Sequence, residues 1–138
     1  MTAKDKYLIN TDGGSRGNPG PSAIGAVVGG RGYSEAIGIT TNNVAEYNAV
    51  IFALKKAKQL LTKAKAKTTH IELRTDSELL VKQLNAEYKI KDENLIPLFI
   101  EIWNLRQDFA SVEFVHVLRE KNKEADRLVN QALDTLGI

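Results

Sequence analysis

Four carboxylates stand where their neighbours could turn them to chemistry. Asp12 follows an apolar run in LINTDGG, and Glu46 opens a helical stretch in TTNNVAEYNAV. Asp76 follows the alternating segment THIELRT, and Asp126 lies one turn into the last amphipathic stretch, NKEADRLVNQA. Each has an ordinary local use. An Asp-Gly pair makes turns. Glu46, three residues after Asn43, fits a capping box. Asp76, beside Ser77, fits a helix cap. Asp126 suits the positive end of a helix dipole. Their conjunction says more than any one of them. If the strands before Asp12 and Asp76 are parallel neighbours, both carboxylates project from one end of a sheet. The helix starts carrying Glu46 and Asp126 can lean over that end. Clustered carboxylates repel and raise one another's pKa, so such a group is costly unless cations sit in it. Hard divalent ions with oxygen ligands, Mg²⁺ or Mn²⁺, suit the set. Two such ions about 3.5–4 Å apart serve phosphodiester cleavage.

The elements that must carry these residues follow from periodicity. Strands are predicted over residues 6–12, 23–30 and 32–39, with a glycine- and proline-rich loop over 13–22 and a tight turn at 30–32. From Ala45 to Leu61 the period becomes helical. Ala49, Phe52, Ala53 and Leu60 form one stripe, widened by Val50, Leu54, Ala57 and Leu61. A fourth strand covers 69–75 and a short helix 77–87, with a polar connector over 88–94. Leu95, Leu98, Phe99, Ile102, Leu105 and Phe109 mark another helix, and 111–118 a fifth strand. A closing helix over 122–136 turns Ala125, Leu128, Val129, Ala132 and Leu136 inward. Tyr47, Phe52 and Trp103 read as core or half-buried packing rather than stacking platforms. A three-strand meander followed by helix-linked strands implies one mixed α/β sheet with right-handed crossovers. With no repeat, linker or low-complexity tract, residues 1–138 are expected to form one domain.

Composition excludes some classes. The chain has no cysteine, which rules out a disulfide framework or thiolate zinc site. Its two histidines, His70 and His116, make a histidine-rich metal site unlikely chemistry, and His116 is expected to be structural. No apolar run approaches membrane-spanning length, and MTAKDKYLIN lacks the apolar core of a secretory leader, so a cytoplasmic protein without membrane contact is expected. A formal net charge of +2, from 19 basic and 17 acidic residues, decides nothing about partners. Two basic groups stand out locally: Lys55, Lys56, Lys58, Lys63, Lys65 and Lys67, then Arg119, Lys121, Lys123 and Arg127. A solvated face explains either as well as nucleic-acid contact does.

Four segments together resemble ribonuclease HI, the type 1 ribonuclease H family. They are TDGGSRGNPGPSAIGAVV, TTNNVAEYNAVIFAL, LRTDSELLVKQL and VLREKNKEADRLVNQA, in the family's order and spacing from about Tyr7 to Leu136. The resemblance implies a five-stranded mixed sheet of order 3-2-1-4-5 with helices on both faces. It implies endonucleolytic hydrolysis of the RNA strand of RNA–DNA hybrids by two metal ions, leaving 5′-phosphate and 3′-hydroxyl ends. Mg²⁺ is the implied ion, with Mn²⁺ able to substitute. Asp12 corresponds to the carboxylate shared by both ions, Asp126 to its partner on the ion serving the attacking water, and Glu46 and Asp76 to ligands of the other. Gly13, Asn18, Thr41, Asn42 and Asn43 match a minor-groove reading set, in which the 2′-hydroxyl marks the RNA strand. Ser77 and Arg119 match further substrate contacts. Asn18 also suits a turn in GNPG, and Asn42 and Asn43 also suit helix caps.

Two departures from the family pattern matter. LREKNKEAD has no histidine, and Arg119 and Glu120 stand where a Gly-His pair often does. This resembles the prokaryotic subgroup that lacks the loop histidine and carries Arg-x-x-Asn-x-x-Ala-Asp. Nor is there an inserted basic protrusion: residues 88–94 form only a link containing Lys89 and Lys91. Hybrid grip is then expected to be modest and strongly salt-dependent. A monomer is expected. Two other functions stay open at this point: a related nuclease that also or mainly cleaves double-stranded RNA, and a non-catalytic hybrid-binding domain. An integrase or resolvase shares the architecture, but GGSRGNPG and TTNNVAE disfavour it.

Overall fold

Two glycines set the first hairpin. Gly29 and Gly30 both have positive φ, 56° and 84°, the pair that a two-residue hairpin turn requires. They join β2 (Gly20–Val28) to β3 (Arg31–Thr40), so the turn lies one to two residues before the expected position. The computed structural model describes residues 5–137. The expected domain spans 1–138, of which 1–4 and 138 lie outside the described residues.

The larger correction concerns β1, which runs over Tyr7–Ser15, beyond the predicted end at Asp12. Its antiparallel ladder with β2 continues through Gly13↔Ile24 and Gly14↔Ala23 to Ser15↔Ser22. The loop expected over 13–22 therefore shrinks to residues 16–19. Glycine content suggested a turn, but here small residues serve a strand that two helices approach closely. Asp12 consequently lies inside a strand whose parallel partner has already stopped, because the ladder from β1 to β4 (His70–Thr75) ends at Asn10↔Arg74.

The remaining elements are α1 (Asn42–Leu61), α2 (Lys63–Ala66), α3 (Glu78–Leu84), α4 (Ile96–Arg106), β5 (Ser111–His116) and α5 (Lys123–Thr135). The short α2 is additional to the expected order. It begins after Thr62, whose φ of 74° breaks the long helix and whose side chain caps the next one. Sheet order is β3-β2-β1-β4-β5, with β4 and β5 also parallel, as the element order and the resemblance implied. No helix is inserted in the connector after α3; it passes through a 3-10 turn at Glu93–Leu95 into α4.

The main core lies between the sheet and α1, α3 and α4, and is built on Ile9, Leu54, Leu73, Leu80 and Ile102. Each fully buried aliphatic side chain there contributes about 1.5–3 kcal/mol. On the opposite face a smaller cluster of Ala23, Val129, Ala132 and Leu133 seats α5. Some predicted inward positions turn outward. Leu60 and Leu136 are exposed, while Leu61 is buried as expected and Leu133 is buried in place of Leu136, because helix rotation near an end is set by packing. Trp103, expected to be at least half-buried, is 52% exposed, while Tyr47 is buried and Phe52 half-buried. Among the described residues no helix is long and apolar enough to cross a membrane.

Candidate active site

Glycine places the helices against the end of the sheet. A Cβ on Gly13 would press on the Ala45 carbonyl and lie 2.5 Å from the Glu46 nitrogen. The first turn of α1 therefore touches β1 backbone to backbone, carrying Glu46 to the rim. On the other face a Cβ on Gly25 would lie 2.9 Å from the Val129 nitrogen and closer still to the Ala125 carbonyl oxygen. Asp12 is paired with Gly25 across the β1–β2 ladder, so it shares the α5 face, where Asp126 begins the helix. Asp76 leaves the end of β4 just beyond Thr75.

All four carboxylates line one open cleft of about 360 Å³, together with Gly13, Asn42, Arg119 and Asn130. Burial pushes the Asp12 carboxyl up to about 8, reinforced by the charges of Asp76, Asp126 and Glu46, and by a hydrogen bond with Asp126. Burial likewise raises Glu46 to about 7; the Ser77 hydroxyl, donating to it, opposes the rise, and Asp76 adds to it. Arg119 is the nearest counter-charge to Asp76, with Nε 3.7 Å from Oδ2, but its side chain is 86% exposed and strongly screened. Among the described residues, no three carboxylate or imidazole groups already stand close enough to enclose one ion. The donor set is nonetheless one that fits hard cations: oxygen ligands only, partly buried, with more negative charge than the neighbouring arginine offsets.

The other expected site residues are divided by the structure. Ser15 N donates to Asn42 Oδ1 at 2.8 Å, and Asn42 N donates to Asn18 Oδ1 at 3.0 Å. Each asparagine thus uses its carbonyl oxygen to lock the 16–19 turn to the start of α1, and keeps its NH₂ as a donor. Thr41, not Asn43, caps α1 by accepting from Val44 N, so the expected Asn43–Glu46 capping box does not form. Asn43 instead lines a neighbouring groove of about 510 Å³ beside Gln83, Tyr88 and Leu95. Ser77, not Asp76, caps α3 through Leu80 N at 3.2 Å. Gly13 N donates to Asp12 Oδ1, so what this glycine chiefly supplies is the missing Cβ. His70 bonds Ser111 across β4 and β5, and His116, expected to be structural, is exposed; neither lines the cleft. The glycines of the second strand were expected to allow close packing, and Gly25 does so against α5, but sequence reading missed Asn122 and Arg16 as site residues, the latter paired with Asp134 of α5 at 2.6 Å. A glycine opposite Asp12 is a signal only once the β1–β2 register is known.

The raised carboxyls give stability a definite pH dependence. Asp12 and Glu46 hold protons more tightly when folded than in the unfolded chain, where their values are about 4. Between about pH 4 and about pH 8 the folded state therefore binds more protons, and stability falls as pH rises. Melting curves in chelator should show the melting temperature dropping from about pH 5 to about pH 8, and Mg²⁺ should restore it at the upper end. A melting temperature that climbs steadily over this interval would contradict the cluster's electrostatics.

Residues 10–132 match the reverse transcriptase-like family. The chain is 39% identical over 136 residues to a bifunctional protein of Mycobacterium tuberculosis, covering 94% of this chain and 36% of that protein. It thus spans about a third of the length of that relative. It is 42% identical over 129 residues to ribonuclease HI of Halobacterium salinarum, covering 89% of this chain and 62% of that enzyme. A type 1 ribonuclease H isolated from compost by a metagenomic approach, crystallised with an RNA/DNA hybrid, superposes with a TM-score of 0.89. The two share 41% identity over 96% of this chain and 100% of that one. With sheet order, cleft-lining carboxylates and near full-length similarity in agreement, the chain belongs to the type 1 ribonuclease H family.

Proposed function

We propose that this protein hydrolyses the RNA strand of RNA–DNA hybrids endonucleolytically, with Asp12, Glu46, Asp76 and Asp126 holding two divalent cations. The observation that carries this reading is the cleft lined by all four carboxylates, with Asp12 driven up to about 8 by burial and the other three. That a relative of matching length and fold is crystallised with an RNA/DNA hybrid supports the substrate. Bound Mg²⁺, or Mn²⁺ in its place, would activate water and neutralise charge on the scissile phosphate, giving 5′-phosphate and 3′-hydroxyl ends.

The chain's own residues orient and select. The four carboxylates would hold the ions, and the resemblance makes Asp12, which feels the charges of the other three, the residue common to both, with Asp126 serving one and Glu46 and Asp76 the other. Ser77, donating to Glu46, favours its ionised form against the effect of burial and helps to aim it. The amide NH₂ groups of Asn18, Asn42 and Asn43 offer donors along a groove wall, where base edges and 2′-hydroxyls of a minor groove present acceptors. Arg119, extended into solvent beside Asp76, can meet a phosphate, and its place just before α5, in a stretch without histidine, supports the reading of a subgroup that lacks the loop histidine. The chain acts as one catalytic domain, a monomer in the cytoplasm. Its two basic groups supply non-specific grip, so binding weakens steeply with salt.

Matched 20-base-pair duplexes test the proposal. With Mg²⁺, the RNA strand of a hybrid should be cut and its DNA strand left whole, and duplex DNA should survive. Cleavage of double-stranded RNA as fast as hybrid would replace the substrate assignment, and equal cleavage of duplex DNA would remove the 2′-hydroxyl from it.

A further inference from the structure

Asn122 occupies the N-cap of α5, where an asparagine ordinarily uses its side-chain oxygen to cap its own helix. It makes no such bond. Its side chain, 1% exposed, crosses instead to β1. Nδ2 donates to the Thr11 carbonyl oxygen at 2.9 Å, and Oδ1 accepts from Asn10 Nδ2 at 3.1 Å. The amide orientation is fixed, because turning it over would set oxygen against oxygen and NH₂ against NH₂. The backbone carbonyl of the same residue accepts from Asp126 N at 3.2 Å. One buried residue thus joins the peptide that precedes Asp12 to the peptide nitrogen of Asp126, by a chain of two hydrogen bonds.

We propose that Asn122 is a positioning residue for the reaction, setting the separation of the Asp12 and Asp126 carboxylates while touching neither substrate nor ion. The inference rests on the reading of those two carboxylates as metal-holding. Two carboxylates partly buried together repel one another whenever both are ionised. Packing seats α5 through Ala125, Leu128, Val129, Ala132 and Leu133, all of them beyond Asn122, which ties the start of the helix to β1. The Asn122 bridge opposes that repulsion at the helix end where it matters. Asn10 completes the device by holding the amide from the far side, so the strand presents both its side chain and its backbone to the same group.

The test compares Asn122→Ala, Asn10→Ala, Asp126→Asn and Val112→Ala. Val112 is buried at the end of β5 away from the cleft and controls for lost stability alone. With Asn122→Ala, kcat on hybrid should fall about 100-fold, the scale expected of a misplacement near 1 Å, while KM stays within about threefold. Calorimetric titration of the hybrid-free protein with Mn²⁺ should show affinity about tenfold weaker. Asn10→Ala, which keeps the Thr11 bond, should show the same pattern at about a tenth of the size, and it carries the test if Asn122→Ala does not fold. Val112→Ala should melt lower yet keep kcat and Mn²⁺ affinity. Normal kcat in folded Asn122→Ala with an inactive Asp126→Asn would overturn the positioning role and leave the site reading intact. Equal losses in Val112→Ala would reduce the effect to stability. An active Asp126→Asn would overturn the site reading and this inference with it.

Discussion

Asp12→Asn should abolish almost all hybrid cleavage while leaving a folded protein. The substitution keeps the shape and removes one negative charge. If Asp12 is shared by two cations, both are weakened at once, and a rate loss of about 10³-fold or more is expected, the scale seen when one group stabilising developing charge is removed. Folding should improve above about pH 7, because burial and three neighbouring carboxylates push this carboxyl to about 8 and its ionised form is the strained one. The fall of melting temperature with rising pH should flatten in the same variant. Hybrid binding should persist, since phosphate and groove contacts lie on other residues. A turn-forming or capping role predicts little change in activity or stability, because asparagine replaces aspartate well in turns and caps. Cleavage rates with Mg²⁺ and melting curves in chelator, taken on one preparation, separate the two. Near-normal cleavage would end the metal assignment for this residue.

Gly13→Ala should be almost as damaging by a different route. The added methyl has no room: it would meet the backbone of Ala45 and Glu46, which cannot swing aside as a side-chain tip could. Overpacking of this kind costs about 1–3 kcal/mol or more, and relief comes only by lifting the first turn of α1 from the sheet. Lifting it carries Glu46 away from Asp76 and Ser77 and breaks the Asn42 bond to Ser15. We expect a melting temperature lower by about 5–10 °C together with a rate loss of about 100-fold. Gly14→Ala is the control, because a Cβ there meets only the Val129 side chain at 3.3 Å. Equal behaviour of the two variants would show that β1 tolerates a side chain at 13 and that α1 is not seated by this glycine.

The elements and their order were legible because each carries its own period. The alternation in 69–75 and the apolar stripe of α1 survive without knowledge of any neighbour. The four carboxylates were legible for a related reason: strand ends and helix starts are local features, and the topology brings those ends together. Caps were less so. Thr41, Asn42 and Asn43 are all competent to open α1, and the sequence offers no means of choosing. The choice is made 24 and 27 residues away, where Asn18 and Ser15 claim Asn42 and leave Thr41 to cap.

What the sequence by itself determined was the set of groups able to bind cations and the α/β order that collects them, because residue type and short-range periodicity fix both. What only the tertiary structure decided was how near those groups come. Gly13 reads as part of a turn, and Gly25 as a close-packing strand glycine with no named neighbour, until the register sets them under α1 and α5, where the lack of a Cβ governs how closely each helix approaches. Asn122 reads only as the first residue of the last helix until its side chain is seen to cross to Thr11. Close approach between distant segments is a property of three-dimensional packing, and a linear pattern records it only as a residue that is small, or polar, for no local reason.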